Sequence, residues 1–454
     1  MHTSRSAVES YQMCPQLRYL TYHHGGRGIV PKASSVPLVT GSAVHRGVEH
    51  LANRLRIEQE PSVDTAVGLA IEQYEKDVSD AGFSGKGIQT ERQQYFTYCE
   101  QKALTEALVR AWAMKEMLNI SSRYKVLAVE REVTPIEIIP GVWFQAKVDM
   151  ELQEIASGDL FNYSLKTCKT WSERNEASYK NDLQGITETW AVEEESRILR
   201  KKWEEMRDHN QVLVDSQQYP AKNLQAILAY LKGNVPKQKT LMGIRFCYLV
   251  KGQRKKPEYN STDPNALYIT YNPLIRGYKN FSPGGISYAH SWFYPNPENK
   301  SGKSILGRGW EPFNVWESDI TIKQWIEAIS KGEIQPECGD VIGQNVITPP
   351  EYFRNEEDIR VGMREVETQE QRILFNLQQV ESIKRTHGAA EHSELFIDSV
   401  FPHYRKSCEF MYGETCSYKP ICWQPEVSVD PLGSGLYQIR TPHHEMEKDS
   451  ESKS

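Results

Sequence analysis

The sequence has no run approaching the roughly 18 apolar residues that a membrane-spanning helix needs, which argues against a helical membrane protein. Its start, Met1-His2-Thr3-Ser4-Arg5, leads into no apolar core of the kind a secretory leader carries. An excess of positive charge is missing too. With 54 Lys and Arg against 60 Asp and Glu, the formal charge is −6. The whole molecule is therefore no polycation, and contact with a polyanion must come from local patches such as Lys251, Arg254, Lys255 and Lys256. There is no internal repeat and no helicase motif. Ser301-Gly-Lys-Ser304 lacks the upstream glycines of a phosphate-binding loop. Hydrophobic residues are sparse at 39%, yet aromatics reach 10%, which implies a true core carrying large polar helical insertions. The 454 residues suffice for one large domain or two ordinary ones. A cytoplasmic, reducing setting is expected, in which eight cysteines point to metal more than to disulfides.

What is present reads as an α/β pattern. Residues 4–24 have helical apolar spacing, a Gly- and Pro-containing loop runs to about 40, and helices are expected over 41–55, 62–80 and 90–119. Strand signals follow at 126–133, 142–152 and 160–166, with turns at Pro140-Gly141 and Ser157-Gly158. The spacing then predicts helices over 179–208 and 220–232, and strands over 240–250 and 266–271. After an irregular stretch with one helix near 321–331, a long charged helix is expected over 350–386. A polar tail, expected to be disordered, begins at about 430.

Four short segments carry candidate chemistry. In Gly41-Ser-Ala-Val-His45-Arg-Gly-Val-Glu49, His45 and Glu49 share a helix face, and a neutral imidazole can bind a divalent cation. In Gly141-Val-Trp-Phe-Gln-Ala-Lys-Val-Asp149, a carboxylate sits on a strand among apolar neighbours, which is costly unless it is paired or binds metal. In Asn162-Tyr-Ser164-Leu-Lys166-Thr167, strand alternation places Asn162, Ser164 and Lys166 on one face and Phe161, Tyr163 and Leu165 on the other. The fourth is Leu224-Gln225-Ala-Ile-Leu-Ala-Tyr230, with a rival in Asp182-Leu-Gln184-Gly; either Gln225 or Gln184 can orient a reacting group.

Taken in order with Cys14-Pro-Gln-Leu-Arg-Tyr-Leu, these segments resemble the RecB-like branch of the PD-(D/E)XK nuclease superfamily, over residues 5 to 425 with insertions between the parts. That branch includes helicase-associated nucleases, CRISPR-adaptation nucleases and phage exonucleases. The resemblance implies a restriction-endonuclease-like fold, a mixed central sheet flanked by helices with large helical insertions. It implies hydrolysis of DNA phosphodiesters with one or two Mg²⁺ or Mn²⁺ ions. On it, His45 and Asp149 are metal ligands, Lys166 is the catalytic lysine, and Gln225 or Gln184 matches the downstream glutamine. Lys251, Arg254 and Tyr230 are expected to contact DNA. Any unwinding belongs to a separate helicase or recombination protein. The expected organisation is an N-terminal helix and loop (1–40), a helical block with the His motif (41–125), the nuclease core (126–275), an irregular and helical extension (276–400), a cysteine-rich segment (401–430) and the tail (431–454).

One position departs from the family pattern. Two residues before the lysine, where the family places Asp or Glu, stands Ser164, and a neutral hydroxyl is a weak ligand for a hard cation. Either another acid reaches the same metal, with Glu130, Glu132, Glu188 and Glu49 as candidates, or the protein binds DNA or a partner on this fold without cutting it.

Cys408, Cys416 and Cys422 fall within fifteen residues, and Cys14 lies near the other end of the chain. Four thiolates suit a [4Fe–4S] cluster or, as the lesser candidate, Zn²⁺. The resemblance favours the cluster, since iron–sulfur RecB-like nucleases join one N-terminal cysteine to three C-terminal ones. Cys99, Cys168, Cys247 and Cys338 read as ordinary buried or half-buried thiols.

Overall fold

In the computed structural model the described residues are 1–32, 36–80, 92–168, 171, 182–215, 228–230, 232–233, 239–251, 345–353, 355–387, 398–404, 408 and 416–441, with short strands between 258 and 338. The N-terminal stretch forms strand β1 (His2–Ser4), helix α1 (Arg5–Met13) and helix α2 (Pro15–Tyr22). One helix was expected over 4–24. Pro15 divides it, because proline has no N–H to give and forces the preceding residue out of helical geometry. Cys14 accordingly adopts φ −165° and ψ 118° and caps both helices.

After strand β2 (Ile29–Pro31), helices α3 (Val36–Arg56), α4 (Val63–Asp80) and α5 (Arg92–Trp112) form one layer. On α3, Val44, Val48, Leu51 and Ala52 repeat at helical spacing and are buried. Gly47 permits the close approach of α4 and α5, since a Cβ there would lie 2.8 Å from Val109 Cγ2 and 3.0 Å from the Ala66 carbonyl oxygen. A π-helical turn at Ala113–Met117 and helix α6 (Leu118–Arg123) carry the chain into the sheet.

Strands β3 (Tyr124–Glu132), β4 (Ile136–Ile139), β5 (Val142–Gln145), β6 (Lys147–Glu154) and β7 (Leu160–Cys168) follow. A single strand was expected over 142–152. It breaks at Ala146, so that β5 joins β4 and β1 in a small sheet while β6 enters the central one. Helix α7 (Leu183–Asp215) then crosses to β8 (Leu241–Val250), which pairs in parallel with β7. That pairing requires a crossover of this kind. Short strands β9–β14 lie at 258–259, 268–270, 275–276, 291–295, 310–313 and 337–338. β15 (Val346–Ile347) and β16 (Tyr352–Phe353) then pair antiparallel with β8. The central sheet runs β15-β8-β7-β6-β3 with β16 also on β8. It is therefore mixed, a restriction-endonuclease-like sheet between helices.

The two faces of β7 separate as alternation predicts. Phe161, Tyr163 and Leu165 join Met150, Leu152, Cys247 and Leu249 in the core against α3–α5. There the buried Trp112 donates its indole N–H to the Tyr163 hydroxyl at 2.8 Å. A second core joins Val8 of α1, Phe144, Val148 and the α7 residues Ala191 and Val192 to Ile359, Met363 and Val366 of helix α8 (Glu356–His387). A third joins the chain ends: Tyr19, Leu20 and Ile29 pack on Val380, Phe401, Tyr418, Ile421, Val427 and Tyr437. The last segment contains helices α9 (Lys419–Trp423) and α10 (Pro425–Val429) and strand β17 (Tyr437–Ile439). β17 pairs with β2, so the expected disordered tail is structured as far as residue 441; Tyr437, 2% exposed, anchors it. No helix among the described residues is long and apolar enough to cross a membrane.

Candidate metal centre and thiol cradle

The layers bring three ligand-bearing residues together beside the sheet. His45 comes from α3, Glu130 from β3 and Asp149 from β6, and one ligand atom of each lies within 4.8 Å of the others. Among the described residues no other trio does so. Because Val129 pairs with Met150 and Arg131 with Val148, Glu130 lies across from Asp149. Glu130 adopts φ +49°, a left-handed conformation that a non-glycine residue holds at a cost of about 1–3 kcal/mol. The kink falls at the ligand itself, while the β3–β6 register continues unchanged on either side of it.

Electrostatics tie the group together. Glu130 faces His45 Nδ1 at 4.0 Å and Lys147 Nζ at 2.7 Å. Burial disfavours the charged imidazole, but the Glu130 and Asp149 carboxylates overcome it and raise the His45 pKa. Burial likewise works against the Glu130 carboxylate, but His45 and Lys147 hold it below the usual range. Asp149 goes the other way: burial raises its pKa despite His45, and its Oδ2 accepts the Leu165 N–H at 2.7 Å.

Lys166 stands beside this trio, on the strand face that alternation assigned to it. Its ammonium donates to Gln184 Oε1, and Gln184 Nε2 donates to Glu188 Oε1, four residues on along α7. Of the two candidate glutamines, Gln184 reaches Lys166, and Gln225 lies outside the described residues. Burial, aided by Arg5, lowers the Lys166 pKa. Burial and Asp149 push the Glu188 carboxyl up to about 8. Arg5 and Asp182, which the sequence did not single out for this site, face each other at 3.9 Å near the lysine. Their only advance signal was the position of Asp182 two residues before Gln184, whose N–H it accepts at 2.8 Å.

Two of the three expected DNA contacts, Lys251 and Tyr230, lie among the described residues. Lys251 follows β8, half-buried, its N–H on the Cys168 carbonyl at 2.8 Å, and burial lowers its pKa to about 8. Arg254 lies outside the described residues. Tyr230 is exposed and stands against Trp203, with ring centroids 6.2 Å apart. Trp203 is fifteen residues along α7 from Glu188, about 22 Å at helical rise, so this ring stands apart from the trio.

A second constellation joins the chain ends. Cys14, Cys408, Cys416 and Cys422 line one cavity with Met13, Leu17, Leu20, His403, Tyr404 and Tyr418. Cys14 Sγ accepts the Tyr404 N–H at 3.4 Å, and the Cys416 N–H donates to the Cys408 carbonyl at 3.0 Å. Burial and the neighbouring thiols push Cys422 up to about 12. Cys247, by contrast, is buried in the α3–α5 core and Cys168 is half-buried beside Trp171 and Tyr248; Cys99 and Cys338 are not described at the side-chain level.

An imidazole and two carboxylates are the donors a hard divalent cation takes. Fold and site therefore define a restriction-endonuclease-like α/β protein with a candidate divalent-cation site. A family model described as the PD-(D/E)XK nuclease superfamily matches residues 2–240, just over half of the chain, and the protein belongs to that superfamily. No curated protein matches the chain significantly. Nucleases of this superfamily usually depend on divalent metals and act on DNA.

Proposed function

We propose that the protein is a divalent-metal-dependent deoxyribonuclease of the RecB-like branch, cleaving from DNA ends, with a structural [4Fe–4S] cluster. The observation that carries the hydrolytic reading is the convergence of His45, Glu130 and Asp149 beside Lys166. A Mg²⁺ or Mn²⁺ ion held by the first three would supply an activated water and neutralise phosphate charge. Lys166, kept in place by Gln184, is positioned to meet the charge that develops on the phosphoryl oxygens. Glu130 and Lys147 orient His45, and the Leu165 N–H fixes Asp149. Lys251 is a candidate backbone contact beyond the end of β7, and separation of duplex strands falls to a partner helicase or recombination protein.

Labelled single- and double-stranded DNA incubated with the protein and Mn²⁺ tests this reading. Cleavage is expected from wild type and not from Asp149→Ala. Equal cleavage by both, or none by wild type, rejects it. The second reading, a DNA-binding protein on the same fold that does not cut, takes its support from Ser164, whose hydroxyl is fully buried with no hydrogen-bond partner. Binding without cleavage by wild type, with cleavage gained by Ser164→Asp, would favour it.

The cluster reading rests on the cavity that the four cysteines share and on the resemblance to iron–sulfur RecB-like nucleases. Brown protein with thiolate–iron absorbance and matching iron and sulfide content is expected; a colourless, zinc-loaded protein overturns it.

A further inference from the structure

The cation site draws its two carboxylates from β3 and β6. Ser164 occupies the position where a carboxylate would complete it, and its Oγ is fully buried and unpartnered. Four acids stand near enough in the chain to be considered. Glu49 is taken by Arg46 at 2.8 Å. Glu132 ends its strand exposed. Glu130 belongs to the trio already and is paired with Lys147. Glu188 differs from all three. It is 5% exposed, one oxygen accepts from Gln184, and Oε2 has no partner.

Where Glu188 stands adds the direction. Gln184 links it to Lys166, and it interacts electrostatically with both Lys166 and Asp149. A buried carboxylate oxygen without a hydrogen bond is costly unless a cation takes it. Asn162, on the same strand face as Ser164, is also buried with its amide unpartnered. The space between β7 and α7 thus holds unmet oxygen donors.

We infer that Glu188, delivered by α7, is the acidic ligand that Ser164 cannot be, and that it shares a divalent cation with Asp149. This rests on the reading of the same site given above. Mg²⁺ and Mn²⁺ take oxygen donors in near-octahedral arrangement, with water filling the remaining positions. The carboxylate has moved from the strand to the helix behind it, keeping its approach to the metal while freeing position 164 to pack as a small residue. The neutral and nearly isosteric Glu188→Gln keeps the bond to Gln184 and removes the ligand charge.

Titration of the full-length protein with Mn²⁺ by calorimetry, with melting followed in parallel, decides the matter. Expected are a loss of affinity of at least about tenfold in Glu188→Gln, an unchanged or higher Tm of the metal-free variant, and loss of most Mn²⁺-induced stabilisation. Ser164→Asp added to Glu188→Gln is expected to recover binding. Wild-type affinity in Glu188→Gln, together with binding abolished by Asp149→Asn, overturns this inference and leaves the nuclease reading standing. No Mn²⁺ binding by wild type overturns both. A metal-free Tm well below wild type with undiminished Mn²⁺ affinity assigns Glu188 a packing role and also overturns it.

Discussion

The cation site and the thiol cradle are built in opposite ways. The first draws oxygen and nitrogen donors from α3, β3 and β6 of the central layers, with Lys166 of β7 and Glu188 of α7 beside it; the second draws sulfur from the two ends of the chain across an apolar cavity. The first tolerates cost: a left-handed Glu130, a half-buried Asp149 with raised pKa and an orphaned Glu188 oxygen. The second sits among groups that are satisfied, such as Tyr418, whose hydroxyl donates to the Ile29 carbonyl at 2.6 Å. The unpartnered atoms of Asn162, Ser164 and Glu188 and the kink at Glu130 stand where chemistry is proposed, and closure of the fold is left to the cradle and its surrounding core.

Substitutions that separate these two roles sharpen the comparison. The largest effect is expected at Lys166→Ala, which should lower the cleavage rate by roughly 10²–10³-fold while leaving Tm near wild type; initial rates on labelled DNA beside a melting curve check it. Glu370→Ala should do the reverse. Arg18 and Glu370 are both fully buried and 3.3 Å apart between α2 and α8. Removing one partner of such a pair costs about 3–5 kcal/mol, readable by denaturant unfolding, with cleavage per folded molecule unchanged. Cys422→Ser should reduce bound iron and lower Tm, measured by metal analysis and calorimetry; a Tm change confined to the cation site would break the comparison.

A smaller effect is expected from pH. Glu188 titrates at about 8 in the folded protein and is largely protonated at neutral pH without metal, and burial raises Asp149 in the same direction. A cation needs them ionised, so Mn²⁺ affinity should rise by up to about tenfold per pH unit toward 8 and then level. A carboxyl raised by folding binds its proton more tightly in the native state, so the metal-free protein should lose stability as pH rises over the same range. His45, also raised, acts in the same direction. Calorimetry at several pH values checks both signs. The smallest effect is expected at Tyr230→Ala, exposed and distant from the trio: stability within about 0.5 kcal/mol and unchanged cleavage of short oligonucleotides.

Much of this was legible in the sequence where periodicity and local chemistry agree. Alternation on β7 separated Lys166 from Phe161, Tyr163 and Leu165 before any coordinates, and the order of His45, Asp149 and Lys166 indicated the superfamily. Breaks inside apolar runs were less legible. Val142 to Leu152 reads as one strand because the division at Ala146 depends on which sheet each half joins. Pro15 did signal the α1–α2 junction, but helical spacing on both sides hid it. The contact of Gln184 with Lys166, and the isolation of the Glu188 oxygen, depend on how α7 lies across β7. The pairing of β17 with β2 depends on contacts between segments about 400 residues apart, which no local pattern encodes.

Helix α1 has a bearing on how the two centres share the molecule. Arg5 at its beginning faces Asp182 beside Lys166, and Cys14 at its end lines the cradle. Nine residues span about 13 Å, a rod too short to bend appreciably. Displacing the turn at Cys14 is therefore expected to shift Arg5 at the far end, so that oxidation of the sulfurs should change Mn²⁺ affinity as well as Tm.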